Sequence, residues 1–442
     1  MILLGGGAAS EHCANELAEG GLRVAIVERE LVGGECSFWA CMPSKTLLRP
    51  GESLADARRV PGAREAVSGD LDSGEALKWR DYMVSGYDDS GARKWAADQG
   101  IDVIRGTGRI AGPGTVAVGD GTYTAEHIVI ATGSDPVIPP IEGLRDLAGV
   151  WTNREATGMK DVPDRLLILG GGPVGVEMAQ AVARMGGSVA LVEGAEHLLS
   201  REPRPLGEAL QKALEADRIE FHFGQFANEA RRHGDGYELE FPDGKVLRAD
   251  KLLIATGRKP RGEGIGLETL GIEPQKGAVE VDERMSAGTN VWAIGDVTNI
   301  WPLTYVGKYQ GRIAAANILG HEARANYEAV PRVVFTDPQT ASVGEADGPV
   351  TVTVSMDSVP RMSTYYRDYE GAGFLTLVSD GERLTGAYAI GPEAGEWLGQ
   401  ATLAIRARVP IDVFKDTIQP FPTFSEIYLH AVQELTKVPT AA

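Results

Sequence analysis

RLLILGGGPVGVEMAQAVARMGGSVALVE, residues 165–193, decides the fold. An apolar run meets three glycines, a stretch of helical spacing follows, and a second apolar run ends on Glu193. MILLGGGAASEHCANELAEGGLRVAIVE, residues 1–28, repeats the pattern. The step from first glycine to closing glutamate is 23 residues in both copies, Gly5 to Glu28 and Gly170 to Glu193. A repeat of this kind means one supersecondary unit used twice. Each copy is later followed by an apolar strand ending in Ala-Thr-Gly, HIVIATGS at 127–134 and LLIATGRKP at 252–260.

Glycines between a strand and a helix, with an acidic residue closing the next strand, are the context of a dinucleotide-binding fingerprint. The glycines let the backbone approach a pyrophosphate, which sits on the positive end of the helix. Gly5, Gly7 and Ser10 therefore read as cofactor contacts in the first copy, and Gly170, Gly172 and Gly175 in the second. Ser10 stands where the third glycine belongs, at a point where helix packs on strand, and gives a slightly looser fit. Glu28 and Glu193 read as acceptors for an adenosine ribose. Thr132, Gly133 and Gly257, in the two Ala-Thr-Gly turns, complete the cofactor-binding set. A carboxylate at 193 pairs with a free 2′-hydroxyl and repels a 2′-phosphate, so NADH is favoured, with NADPH second because Arg201 can swing in. The four-residue run MILL reads as a clipped or misassigned first strand.

Net charge is −19, from 43 basic and 62 acidic residues. That balance opposes nucleic acid and anionic membrane surfaces as partners. No apolar run reaches bilayer length, and no segment reads as a signal peptide, so the expected location is cytoplasmic. In a reducing compartment three cysteines do not make a structural disulfide framework. Cys13, inside a helical pattern, reads as core. Between Arg105 and Gly133 short alternating runs with glycine turns predict an antiparallel meander. From residue 328 strand-like runs are followed by two helical stretches, EAGEWLGQATLAIRAR and SEIYLHAVQELTK. The fold class is α/β, with two Rossmann-like dinucleotide-binding domains plus a C-terminal α+β domain. The boundaries are 1–150 with 265–327 for the first domain, the meander at about 105–133 inserted in it, 151–264 for the second, and 328–442 for the last.

GGECSFWACMPSKTLL, residues 33–48, is the most specific stretch. Its two cysteines, with four residues between them, suit a disulfide across one helical turn. A zinc site needs further ligands, and the segment offers none. A functional thiol pair is the better reading. The loop GGxCxxxxCxPSK, both glycine motifs, both Ala-Thr-Gly strands and TNVWAIGDV at 289–297 together resemble the flavin-dependent pyridine nucleotide–disulfide oxidoreductases. The resemblance covers nearly the whole chain and includes the dihydrolipoamide dehydrogenase, glutathione reductase and mercuric reductase branches.

The resemblance implies FAD on the first motif and Glu28, with Gly295 and Asp296 at the ribityl chain, and the nicotinamide cofactor on the second motif and Glu193. It implies that Cys41 is the flavin-proximal thiol and Cys36 the interchange thiol. It places Lys45 by flavin N5, paired with Glu177. A buried lysine needs such a counter-charge, and a cation there lowers a nearby thiol pKa. The last domain resembles the family's dimer interface. A homodimer is implied, with residues 418–426 of one subunit over the disulfide of the other.

In the typical disulfide reductases of that family the segment reads His-Pro-Thr-x-x-Glu, and the histidine shuttles the proton of the interchange thiol, whereas mercuric reductases carry Tyr and a ketopropyl reductase/carboxylase Phe at that position. Here it is FPTFSE, with Phe421 at the histidine position and Glu426 retained. Phenylalanine carries no proton. His430, four residues past Glu426, is a weak substitute, and the other six histidines (His12, His127, His197, His222, His233, His321) read as filler. Phe38, Trp39, Phe421 and Phe424 suggest either interface packing or an aromatic, water-poor pocket. KVPTAA at the end lacks the cysteine pair by which mercuric reductases pass on metal. The expectation is thus an FAD enzyme, reduced by NADH or NADPH, passing electrons through Cys36–Cys41 to a small-molecule acceptor that is not a standard dithiol substrate. The alternatives are a quinone or dye reductase using flavin alone, a small-molecule disulfide reductase with another proton donor, ketone reductase/carboxylase-like chemistry, or a non-catalytic flavin-bound sensor. No metal ligand set is expected.

Overall fold

The computed structural model describes residues 1–368, 371 and 373–438, so residues 369, 370, 372 and 439–442 of the segment expected over 328–442 lie outside them. The chain divides into two compact units. The first holds Met1–Pro43, Lys78–Val137 and Gly257–Asn326. Its sheet runs Ser286–Gly288, Val291–Ala293, Ile128–Ile130, Ile2–Leu4, Val24–Glu28, Ile101–Arg105. From Val291–Ala293 onward the pairing is parallel, and the central strands are buried on both faces, as continuous apolar runs require. Ile2–Leu4 has only three residues, yet each pairs on both sides.

Helix Ala8–Glu19 crosses between the first two strands and buries Ser10, Cys13, Ala14 and Leu17, one stripe at helical spacing. Helix Thr304–Ile318 lies against it so closely that a Cβ at Gly311 would stand 2.7 Å from Ala9 O. Cys13 sits in this contact as core, its thiol pushed up to about 12 by burial. The alternating stretch forms a three-stranded antiparallel sheet, Gly108–Gly112, Thr115–Val118 and Gly121–Thr124. Arg258–Pro260 pairs with Ser134–Pro136, which draws the segment after the second Ala-Thr-Gly into this unit.

The second unit holds Ser44–Leu77, Ile138–Thr256 and Tyr327–Ala442. It contains a four-stranded parallel sheet in the order Glu220–Phe223, Ser188–Glu193, Arg165–Leu169, Lys251–Ile254. A five-stranded antiparallel sheet follows the order Arg332–Val334, Gln339–Gly344, Leu384–Gly391, Phe374–Ser379, Val350–Ser355. One apolar core joins the two, with Leu206, Leu210 and Leu214 in the same cluster as Tyr388 and Ile390. Helices Gly399–Arg406 and Ile427–Leu435 belong to a separate cluster centred on the five-stranded sheet.

An ion cluster ties this unit together. Asp337 Oδ2 accepts from Arg184 Nη1 at 2.8 Å and from Arg59 Nη2 at 2.8 Å, and its backbone N–H donates to Gln180 Oε1 at 2.7 Å. Burial alone would raise the Asp337 pKa, but Arg59 and Arg184 outweigh it and hold the carboxyl below its ordinary value. A depressed carboxyl contributes stability that is present above its unfolded value and lost as pH falls through the folded one. Removing one partner of a buried pair costs about 3–5 kcal/mol. Asp337→Asn should therefore lower Tm by roughly 5 °C or more at pH 7. In thermal melts taken across pH, the gap to wild type should shrink below about pH 3.9; a gap constant with pH would sink this account.

Candidate active site

The two glycine turns are built alike. Glu28 Oε2 accepts from Gly6 N at 2.6 Å and its Oε1 from Glu30 N at 2.7 Å. Glu193 Oε2 accepts from Gly171 N at 2.5 Å and its Oε1 from Ala195 N at 2.8 Å. An added Cβ at Gly5 would stand 2.3 Å from Ala131 O, and one at Gly170 2.4 Å from Ala255 O. Both glycines also hold positive φ, +104° and +109°. At Gly7 and Gly133 in one copy, and Gly172 and Gly257 in the other, an added Cβ would meet nothing within 4 Å. Each turn thus presents bare backbone at a helix start, the kind of cradle that a dinucleotide pyrophosphate requires.

The copies differ at their third position. A Cβ at Gly175 would stand 1.9 Å from Gly170 O, so that helix needs glycine. Ser10 carries a Cβ and is fully buried, and its Oγ has no hydrogen-bond partner. Gly295 and Asp296 begin the turn Gly295–Thr298. Gln310 Oε1, fully buried, accepts from Gly295 N at 2.7 Å. Ser134 Oγ donates to Asp296 Oδ2 at 2.6 Å and accepts from Arg258 Nε at 2.7 Å. Thr132 Oγ1 donates to Arg261 O at 2.7 Å. Sequence reasoning missed Gln310, Ser134 and Arg258, although Ser134 directly follows the Ala-Thr-Gly turn that it did find.

The cysteine loop is not one helix. Helix Gly34–Phe38 carries Cys36, Trp39 leaves helical geometry at φ −135° and ψ 6°, and a new helix, Cys41–Arg59, opens on Cys41 itself. Gly33 and Gly34 seat the loop on the first glycine turn. Gly33 N donates to Gly6 O at 2.7 Å, and a Cβ at Gly34 would stand 2.8 Å from Gly7 Cα. The two sulfurs, one on each helix, are not bonded to each other. Cys36 is pushed well above the ordinary thiol range, first by a hydrogen bond with Cys41 and next by burial. Thr304 and Lys308 act on it in the opposite sense. Thr304 Oγ1 also lies 3.2 Å from Cys41 Sγ. These two residues were missed as well; they stand four apart at the start of helix Thr304–Ile318, a spacing that puts both on one face.

Lys45 Nζ donates to Glu177 at 2.8 and 3.0 Å and lies 4.7 Å from the centroid of the Phe335 ring. Glu177 also accepts from Phe335 N at 3.0 Å. The expected pair is therefore formed, and Phe335 is an unforeseen third member. In the C-terminal segment Phe421 is 70% exposed. Phe424 is buried against Tyr365, centroids 5.0 Å apart, within an apolar core. Phe38 and Trp39 do stand together, centroids 5.7 Å apart, and Trp39 stacks on Tyr87 at 6.4 Å. His430 Nδ1 is 2.9 Å from Ser358 Oγ. Glu426 Oε2 is buried with no hydrogen-bond partner.

Residues 1–311 match the family described as pyridine nucleotide-disulphide oxidoreductase, and residues 330–432 match its dimerisation domain. A mercuric reductase of Acidithiobacillus ferrooxidans is 33% identical, covering 99% of this chain and 82% of the relative. A dihydrolipoyl dehydrogenase of Thermus scotoductus is also 33% identical, covering 99% and 97%. Among solved structures, a Cu(II) complex of the HOCl-induced flavoprotein disulfide reductase RclA from Escherichia coli aligns with TM-score 0.85 at 26% identity, over 99% of each chain.

The Lys45–Glu177 pair makes a two-sided test of these contacts. Glu177→Ala strips a buried acceptor from both Lys45 and Phe335 N, at a cost of about 3 kcal/mol. Tm of the holoprotein should fall by roughly 5 °C. Replacing both partners by apolar residues of similar size, Lys45→Met with Glu177→Leu, should recover part of that loss. A double variant that melts no higher than Glu177→Ala would refute the pairing as the source of the loss.

Proposed function

The chain belongs to the flavin-dependent pyridine nucleotide–disulfide oxidoreductases, and from that premise we propose an NAD(P)H oxidoreductase whose Cys36–Cys41 pair serves an acceptor other than a dithiol substrate. Bound FAD supplies the chemistry that accepts an electron pair from NAD(P)H and hands it on. In this reading the unit of Gly5, Gly7, Ser10 and Glu28 holds FAD, with Thr132, Gly133, Gly295 and Asp296 completing its cradle. Gly170, Gly172, Gly175, Glu193 and Gly257 serve the nicotinamide cofactor. Glu193 has both oxygens engaged by backbone N–H groups and still has lone pairs for ribose hydroxyls. That arrangement favours NADH.

Cys41 opens a helix, where the positive end of the helix favours a thiolate. Cys36 is assigned as the interchange thiol; its hydrogen bond with Cys41 and burial raise its pKa, so its thiolate needs a proton acceptor to form. Lys45, neutralised by Glu177, is assigned to the flavin edge. The dimerisation domain supports a homodimer, and the exposed Phe421 is assigned to the partner's cysteine pair.

One observation carries the choice of acceptor. The Glu426 carboxylate keeps a buried oxygen with no donor, in the segment where the family's histidine would supply one. The receptor for a proton carrier is retained while Phe421 replaces the carrier. General acid–base assistance is worth about 10²- to 10⁴-fold, so thiol–disulfide exchange near neutral pH is handicapped. An acceptor whose reduction needs no proton delivered to a leaving thiol escapes that handicap. A thiophilic metal ion is one such class, and mercuric reductase and Cu(II)-bound RclA are among the similar proteins.

Anaerobic titration with NADH should consume about four electrons per subunit, two for the flavin and two for the disulfide. A long-wavelength thiolate band should grow in as it does; uptake of about two without the band would favour the reading in which flavin alone serves a quinone or dye. Phe421→His should raise turnover of lipoamide or glutathione disulfide by roughly tenfold or more. If neither rate moves, the missing proton carrier is not what limits disulfide exchange. A screen of metal ions, quinones and small disulfides with wild-type and Cys36→Ser enzyme then assigns the acceptor class, since only cysteine-dependent acceptors lose turnover in the variant.

A further inference from the structure

Strand Ser188–Glu193 ends beside residues 224–226. Gly224 N donates to Ala195 O at 3.0 Å and Gln225 N to Glu193 O at 3.4 Å, so this segment is fastened to the residues that follow the strand. Next comes Phe226, a phenyl ring 72% exposed. Its ring lies over Gly194, where an added Cβ would stand 2.4 Å from Cε1 and 2.6 Å from Cζ. Gly194 immediately follows Glu193, and the Glu193 carboxylate is fixed by Gly171 N and Ala195 N.

A large apolar ring left in water forgoes the burial that usually places phenylalanine. Here it is fastened beside the carboxylate assigned to a ribose. In a Rossmann unit the pyrophosphate sits on the helix start, and the ribose reaches the acidic residue closing the second strand. The base is attached to that ribose, so it leaves the strand end at residue 194, where Phe226 stands. Every base offers a π-face, and stacking on an aromatic ring needs no hydrogen-bond code.

We propose that Phe226 is the stacking surface for the adenine of the nicotinamide cofactor, with Gly194 leaving room for its ring. The inference rests on the assignment of residues 170–193 to NAD(P)H. Phe226 then acts on affinity for the adenosine half of the cofactor and takes no part in hydride transfer.

The test uses the holoenzyme with a dye acceptor. Phe226→Ala should raise KM for NADH about tenfold and weaken inhibition by ADP-ribose in parallel. It should leave kcat at saturating NADH within about twofold of wild type. KM for reduced nicotinamide mononucleotide, which lacks the adenosine half, should not change, and Phe226→Tyr should keep wild-type constants. Unchanged NADH and ADP-ribose constants in Phe226→Ala would overturn the proposal, as would an equal rise in KM for the mononucleotide. Glu193→Ala separates the two levels of inference. If it weakens NADH while Phe226→Ala does not, stacking alone is wrong; if neither does, the assignment of the unit is wrong.

Discussion

A carboxylate at the end of one strand, accepting the backbone N–H of a glycine turn at the end of its neighbour, is the constraint on which both nucleotide units depend. Glu28 holds Gly6, and Glu193 holds Gly171. The bond fixes the turn relative to the sheet, so the helix that follows starts where its free N–H groups face open space. Hydrogen bonds to a charged acceptor are stronger than neutral ones. That strength matters in a turn whose first glycine is held at positive φ against a carbonyl of the next strand. The cysteine loop inherits the same frame, because Gly33 bonds to Gly6 O and Gly34 lies on Gly7.

Much of this frame was legible in the residues, because local rules write it. Strand, glycine turn, helix and acidic strand end recur at one spacing, and each glycine needed for close approach is visible as a missing side chain. The C-terminal strands and helices were readable for the same reason, their periods of two and 3.6 being local. What escaped depends on chain segments meeting across large sequence distances. Ser134 joins Arg258 to Asp296, Gln310 reaches back to Gly295, and Phe335 completes the Lys45–Glu177 pair. No spacing rule announces such contacts. The break at Trp39 was hidden for a different reason. The spacing of the two cysteines suits one helical turn, and the loop divides at Trp39 into two helices instead.

The C-terminal segment divides its aromatic rings between core and solvent. Phe424 is core, its ring packed against Tyr365. Phe421, three residues earlier, is exposed. Glu426 keeps a buried, unpaired oxygen, an arrangement that typically costs about 1–3 kcal/mol.

The Asp337 cluster has a mechanical consequence. One carboxylate gathers Arg59 from the end of a long helix and Arg184 from the end of another, and the same aspartate lies between two strands of the antiparallel sheet. These segments are 125 and 153 residues apart along the chain, from 59 to 184 and from 184 to 337. Opening of either helix end strips one of its two cation partners from the buried Asp337, and opening at Asp337 strips a carboxylate from both arginines. The three segments are therefore expected to protect their amide hydrogens as one cooperative block, with a single opening free energy in place of three separate ones.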